Sequence, residues 1–194
     1  TSLEVLKKIE QDNYDLVITI TSDAVEPATY RLKTTPWLFT NVNNPKLYGL
    51  GNKHMPGENR SGVSYYIEAI KQMELFNQVM NGTIKKVGFI FDYNAKSKNS
   101  EINDFRNAAI KLHMKYRIKL LDNKFELPLI VNKLIDEEVD AIVITSSNKL
   151  YNNINLILEQ STKANVPIFS VNKKGVEQGA LAAIASDYYK MVDE

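Results

Sequence analysis

The sequence predicts an α/β protein of two Rossmann-like lobes, each a parallel sheet flanked by helices, with the first lobe incomplete. Three observations lead there. Short β-branched apolar runs alternate with segments of helical period from end to end, the signature of parallel strands joined by crossover helices. The runs are apolar throughout, as strands covered on both faces should be. One Asn-, Gly- and Pro-rich stretch, residues 41–62, breaks this rhythm and divides the series in two.

Taken in order, residues 1–9 read as the inside of a helix, and strands are expected at 16–20 and 37–40. The stretch 41–62 holds two Pro and four Gly with no long apolar run, so it reads as a loop and a lobe boundary. A helix beginning near Ser64 carries Tyr66, Ile70, Met73 and Met80, and Asn81-Gly82 stops it. Strands follow at 87–91, 118–121, 141–144, 168–171 and 181–185. Between them, Ile102, Phe105, Ala109, Leu112 and Tyr116 fall on one helical stripe, with Asn99 or Ser100 as N-cap. Leu127, Ile130 and Leu134 mark the next helix, with Pro128 in its first turn, and Ile154, Ile157 and Leu158 the one after. The expected division is a partial first lobe at 1–63, a second lobe at 64–185, and the start of a crossover back to the first lobe at 186–194. Sixty-three residues are too few for a complete doubly wound sheet. A first lobe short of helices should expose an apolar sheet face and lead to association or domain exchange.

Bulk properties narrow the function. The 194 residues are 44% hydrophobic and 24% charged, with no run approaching the ~20 apolar residues of a membrane span. Lys and Arg number 24 against 23 Asp and Glu, so no basic excess exists to neutralise phosphates, and nucleic acid is not an expected partner. Without cysteine there are no disulfides, thiolate metal sites or cysteine nucleophiles. The chain lacks an initiator Met and a charged-then-apolar leader, and reads as an excised or processed piece.

Ligands of open parallel sheets sit beyond the carboxyl ends of the strands. Here those ends carry Thr21-Ser22-Asp23, Thr40-Asn41-Val42-Asn43-Asn44, Asp92-Tyr93-Asn94, Thr145-Ser146-Ser147-Asn148, Asn172 and Ser186-Asp187. Any single one of these suits a turn or helix cap; as a set they suit a small polar ligand held by many hydrogen bonds. The histidines, His54 and His113, lie far apart and lack convergent partners for a metal or triad. Gly49-Leu50-Gly51 lacks the third glycine of a dinucleotide fingerprint, and there is no P-loop. Asp136-Glu137-Glu138 reads as a solvated helix end and Lys173-Lys174 as surface. No metal or cofactor is expected.

The strings Phe39-Thr40-Asn41-Val42-Asn43-Asn44-Pro45, Pro56-Gly57-Glu58-Asn59-Arg60-Ser61-Gly62-Val63-Ser64 and Lys86-Val87-Gly88-Phe89-Ile90-Phe91 resemble the ABC-transporter substrate-binding family of the tryptophan/tyrosine type. Val166-Pro167-Ile168-Phe169-Ser170, Glu177-Gln178-Gly179-Ala180-Leu181-Ala182 and Asp187-Tyr188-Tyr189 are similar to its closing pattern. The resemblance implies a type I periplasmic-binding fold, an amino-acid-sized ligand (aromatic ones included) in a cleft between lobes, and further elements at both ends. Thr40 and Pro45 match the family's Thr-Ala-Val-Thr-Asp-Pro segment, whereas Asn43 and Asn44 replace its Thr and Asp, and Ser147 stands where Asp is common.

For an amino acid, the ammonium needs a carboxylate such as Asp187, Asp92 or Asp23, and the carboxylate would sit on hydroxyls and N–H groups near Ser22, Ser64 or Ser146. Tyr93 or Phe91 is placed to stack on an aromatic side chain, although Phe91 also suits core. Thr40, Asn43, Asn148 and Asn172 complete the expected site. The resemblance implies an extracytoplasmic, non-catalytic solute-binding component that works with a membrane ABC permease. A ligand-sensing domain of the same fold in a signal-transduction protein is the alternative, and an enzyme is disfavoured by the lack of a nucleophile, metal cluster or phosphate loop.

Overall fold

The computed structural model describes residues 2–50, 59–95 and 97–186. The backbone divides into two compact units, residues 1–66 with 186–194, and residues 67–185.

In the first unit, α1 (Ser2–Gln11) leads to β1 (Val17–Ile20), α2 (Ser22–Arg31), β2 (Trp37–Val42), a single 3₁₀ turn (Pro45–Tyr48) and β3 (Arg60–Ser64). The strands form a parallel sheet in the order β1-β2-β3, with Val17 opposite Trp37 and Phe39 opposite Gly62. Strand periodicity puts Val17, Thr19, Trp37 and Phe39 on one face. There, Trp37 and Phe39 join Leu6 of α1 and Val25, Ala28 and Leu32 of the α2 region in one buried cluster. The opposite face carries Ile18, Ile20 and Leu38, which are 61%, 58% and 39% exposed. This corrects the expectation that these strands are covered on both faces: their apolar composition is two-sided, but α1 and α2 cover one side only.

Two further corrections fall in this region. Residues 60–64, read as the end of a loop and the start of a helix, form β3, and the helix begins at Ala69. β3 has no apolar run because its neighbour supplies the hydrogen bonds, and Gly62 is there for space. A Cβ at Gly62 would overlap the carbonyl oxygen and ring of Phe39, so the two strands approach this closely only with glycine. α2 was not anticipated, since its interior Pro27 removes one intrahelical donor and obscures the helical pattern.

The second unit runs α3 (Ala69–Val79), β4 (Lys86–Asp92), α4 (Lys98–Lys111), β5 (Lys115–Leu121), α5 (Leu127–Asp136), β6 (Ala141–Ile144), α6 (Asn148–Tyr151), α7 (Ile154–Lys163), β7 (Ile168–Ser170), α8 (Lys173–Glu177) and β8 (Ala182–Ala183). All five strands are parallel, in the order β5-β4-β6-β7-β8. Val87, Phe89 and Phe91 point to the layer containing Phe76 of α3 and Phe105 of α4; Ile90, Ile142 and Ile144 point to Leu134 of α5 and Ile157 of α7. Phe76 stacks on Phe169 with ring centroids 4.5 Å apart, and Phe89 lies 5.3 Å from Phe105. Here β4, β6 and β7 are covered on both faces, as expected, whereas the edge strand β5 is not, with Leu120 40% exposed.

The helices end where the chain turns left-handed. Asn81 (φ 52°) with Gly82 (φ 75°) follows α3, and Asn165 (φ 55°) follows α7; Asn and Gly adopt this conformation at least cost. α4 begins at Lys98 with Ser97 at its N-cap position, two to three residues before the Asn99 or Ser100 expected. Tyr116, assigned to that helix by its period, belongs to β5, because the helix stops at His113 (φ 56°). The last strand is two residues, 182–183, rather than five.

Candidate ligand-binding site at the carboxyl ends of the strands

β4 has β5 on one side and β6 on the other, so the strand order reverses between β4 and β6, and the carboxyl ends of these two strands are where an open parallel sheet takes its ligand. Asp92, the last residue of β4, stands there. Its Oδ1 accepts from Lys149 Nζ (2.8 Å) and the Asn94 amide (3.0 Å), and its Oδ2 from Ser147 Oγ (2.8 Å). Burial works to raise the Asp92 pKa, but the bonds from Lys149, Asn94 and Ser147 outweigh it and hold the carboxyl below its usual 3.8. Lys149 also donates to the Asp122 carbonyl (2.9 Å), and Asn94 Nδ2 to Asp122 Oδ1 (3.0 Å), which ties the segment after β5 to the ends of β4 and β6. Ser147 accepts from the Lys149 and Leu150 amides as the N-cap of α6.

A second group lies along the same edge. The Tyr151 hydroxyl and Ser170 Oγ share a hydrogen bond of 3.2 Å with both side chains buried. Ser170 Oγ donates to the Asn172 carbonyl (2.8 Å) and accepts its amide (3.1 Å), and Asn172 Oδ1 accepts the Gly175 amide as the N-cap of α8. A Cβ on Gly175 would overlap the Ser170 hydroxyl, so glycine permits this approach. Burial pushes the Tyr151 phenol up to about 12, against lowering bonds from Ser170 and the Val171 backbone, and the negative charge of Glu101 adds to the rise. Glu101, in the first turn of α4, is half-buried; burial raises its pKa, a 2.6 Å bond from Ser97 Oγ opposes the rise, and Asp104 adds to it.

In the first unit, the strand ends gather Ser22, Thr40, Asn43 and Ser64. Ser22 Oγ accepts the Asn43 amide (3.4 Å), and the Thr21 amide donates to the Thr40 carbonyl (3.0 Å). Ser64 Oγ donates to the Val42 carbonyl (2.8 Å) and accepts the Tyr66 amide (3.0 Å). Thr21 is held at φ 75°, ψ 158°, a region that β-branched residues rarely occupy.

Of the residues expected from sequence, Asp92, Ser146, Asn148 and Asn172 lie at the strand ends of the second unit, with Ser146 and Asn148 exposed. The neighbour between them, Ser147, makes the bonds. Tyr93 is exposed, with Lys98 Nζ 4.0 Å from its ring centroid and bonded to its carbonyl, so a cation already occupies one ring face. Phe91 is core, fully buried between Phe89 and Phe105. Asp23 is exposed in the first turn of α2. Asp187 and His54 lie outside the described residues. Sequence reasoning passed over Lys149, Tyr151, Ser170 and Glu101; the one signal for Glu101 was its position four before Phe105, on a stripe otherwise apolar.

The sequence profile of the family described as ABC transporter substrate binding protein matches residues 1–193. No curated protein sequence matches the chain. Among solved structures, the chain is similar to a ligand-free, open substrate binding protein with adhesive properties from Clostridium difficile, at 22% identity and TM-score 0.77, covering 98% of this chain and 64% of that one. It is similar to an ABC domain in complex with L-Trp from Streptococcus pneumonia, at 21% identity and TM-score 0.71, covering 98% and 66%. A leucine binding protein from Thermotoga maritima matches at 19% identity and TM-score 0.62, covering 87% and 48%. The chain therefore spans 64 to 66% of the length of the first two, and at these identities the likeness shows the fold.

Proposed function

Because the chain belongs to the ABC transporter substrate-binding protein family, we propose that it is the extracytoplasmic solute-binding component of an ABC transporter and takes an amino acid at the carboxyl ends of its strands. The observation that carries the ligand class is the set of short polar side chains and hydroxyls at those ends. Along one band of the second unit, Asp92, Ser147 and Lys149 form one bonded group and Tyr151, Ser170 and Asn172 another, and Ser22, Thr40, Asn43 and Ser64 lie at the strand ends of the first. Such a band recognises a small zwitterion by many charge-assisted bonds. A relative bound to L-Trp and another named as a leucine binding protein support that class. The role is binding without chemistry, and the partner is a membrane permease that receives the ligand.

The test is a thermal-shift screen of the chain with the twenty L-amino acids, and simple sugars as controls. A ligand at 100 times its Kd adds about 2.7 kcal/mol of stability. Stabilisation by one class of amino acid is the expected result; stabilisation by sugars alone, or by nothing in a folded chain, overturns the amino-acid reading.

A further inference from the structure

We infer that Glu101, rather than Asp92, supplies the negative charge that holds the ammonium group of the ligand, an inference that rests on the amino-acid reading above. The two carboxylates stand at the same end of the same unit but in opposite electrostatic states. Asp92 is already matched by the Lys149 ammonium and by two further donors, Ser147 Oγ and the Asn94 amide. An incoming ammonium would have to displace Lys149, whose other bond goes to the Asp122 carbonyl.

Glu101 has no such match. It stands one helical turn before Phe105, on the stripe of α4 that carries Phe105, Ala108 and Ala109 into the core, so its side chain leaves the helix on the side facing the sheet. Its Oε1 accepts a single side-chain bond, from the neutral Ser97 hydroxyl. Among the described residues, no lysine or arginine forms an ion pair with it, and Asp104, three residues on in the same helix, is of like sign. A half-buried carboxylate in this state is costly unless a cation joins it. The bond it does make comes from a neutral hydroxyl, so the charge stands beside a neutral donor. A primary ammonium brings one positive charge and three donors, and fits a carboxylate whose one side-chain bond comes from a neutral hydroxyl.

A purely local role would be a cap, the Ser97–Glu101 bond closing the first turn of α4. That role concerns folding and is blind to whether a ligand carries an amine, which separates the two by experiment. Each L-amino acid that stabilises the chain is titrated calorimetrically against the α-hydroxy acid with the same side chain. Wild type is expected to prefer the amine by about 10- to 100-fold. E101Q, which keeps the size of the side chain, is expected to lose most of that preference, and E101D, which keeps the charge, to retain part of it; should E101Q fail to fold, E101A is read in its place.

An E101Q chain with the wild-type preference overturns the assignment and leaves the amino-acid reading standing. Equal binding of amine and hydroxy acid by wild type also overturns it. A chain that binds no amino acid overturns both.

Discussion

Glu10 closes the turn that leads from α2 into β2. Its Oε1 accepts the Lys33 amide (3.0 Å), the Thr34 amide (2.7 Å) and the Thr34 hydroxyl (2.7 Å), and Oε2 the Thr35 amide (3.4 Å). Burial works to raise its pKa, but these bonds prevail and hold it at about 2 against the usual 4.5. A carboxyl with a depressed pKa stabilises the fold in full above about pH 4.5, and that contribution fades as pH falls towards 2. Glu10→Gln is therefore expected to lower the thermal midpoint at pH 7, with the gap to wild type closing between pH 4.5 and 2; a gap that is constant with pH would contradict this. No local pattern announces Glu10, because its donors lie 23 to 25 residues on. The same distance problem hid Lys149, whose bond to Asp92 spans 57 positions, whereas Asp92 itself was legible as a polar residue ending an apolar run.

β3 illustrates what strands need from their neighbours. Its five residues, Arg60–Ser64, have no apolar run and read as loop, yet Gly62 sits opposite Phe39 in parallel register. The strand exists because β2 offers an open edge and because glycine leaves room for Phe39. Gly62→Ala is expected to destabilise the first unit by on the order of 3 kcal/mol, since the Phe39 carbonyl and ring cannot both move aside. Unfolding followed by tryptophan fluorescence reads this directly, because the single Trp, Trp37, is buried in that unit; an unchanged midpoint would refute the close approach. By contrast β4 and β6 were legible almost to the residue: 141–144 was expected and Ala141–Ile144 is found. Their apolar runs are buried on both faces, so composition alone marks them.

Among the described residues, the first unit presents Ile18, Ile20 and Leu38 together on an exposed face of a parallel sheet, with β1 at the edge. An exposed aliphatic sheet face with a free edge is prone to association. We expect the chain to self-associate as its concentration rises, and the pair Ile18→Lys with Ile20→Lys to shift it towards monomer in sedimentation velocity. A wild-type chain that stays monomeric at high micromolar concentration would refute this. The family resemblance and the profile match agree across nearly the whole chain, because the motifs that carry them are spread over both units.

The class of fold, the positions of β4 and β6 and the stop of α3 at Asn81-Gly82 were readable from the chain, since each follows from short-range period and backbone preference. Which polar groups at the strand ends are satisfied was not. The order β5-β4-β6-β7-β8 brings Lys149 and Ser147 to Asp92 and Tyr151 to Ser170, and leaves Glu101 with one neutral hydroxyl bond. Charges are paired by proximity in space, and strand order, which sets that proximity, depends on the packing of the whole sheet rather than on any one segment.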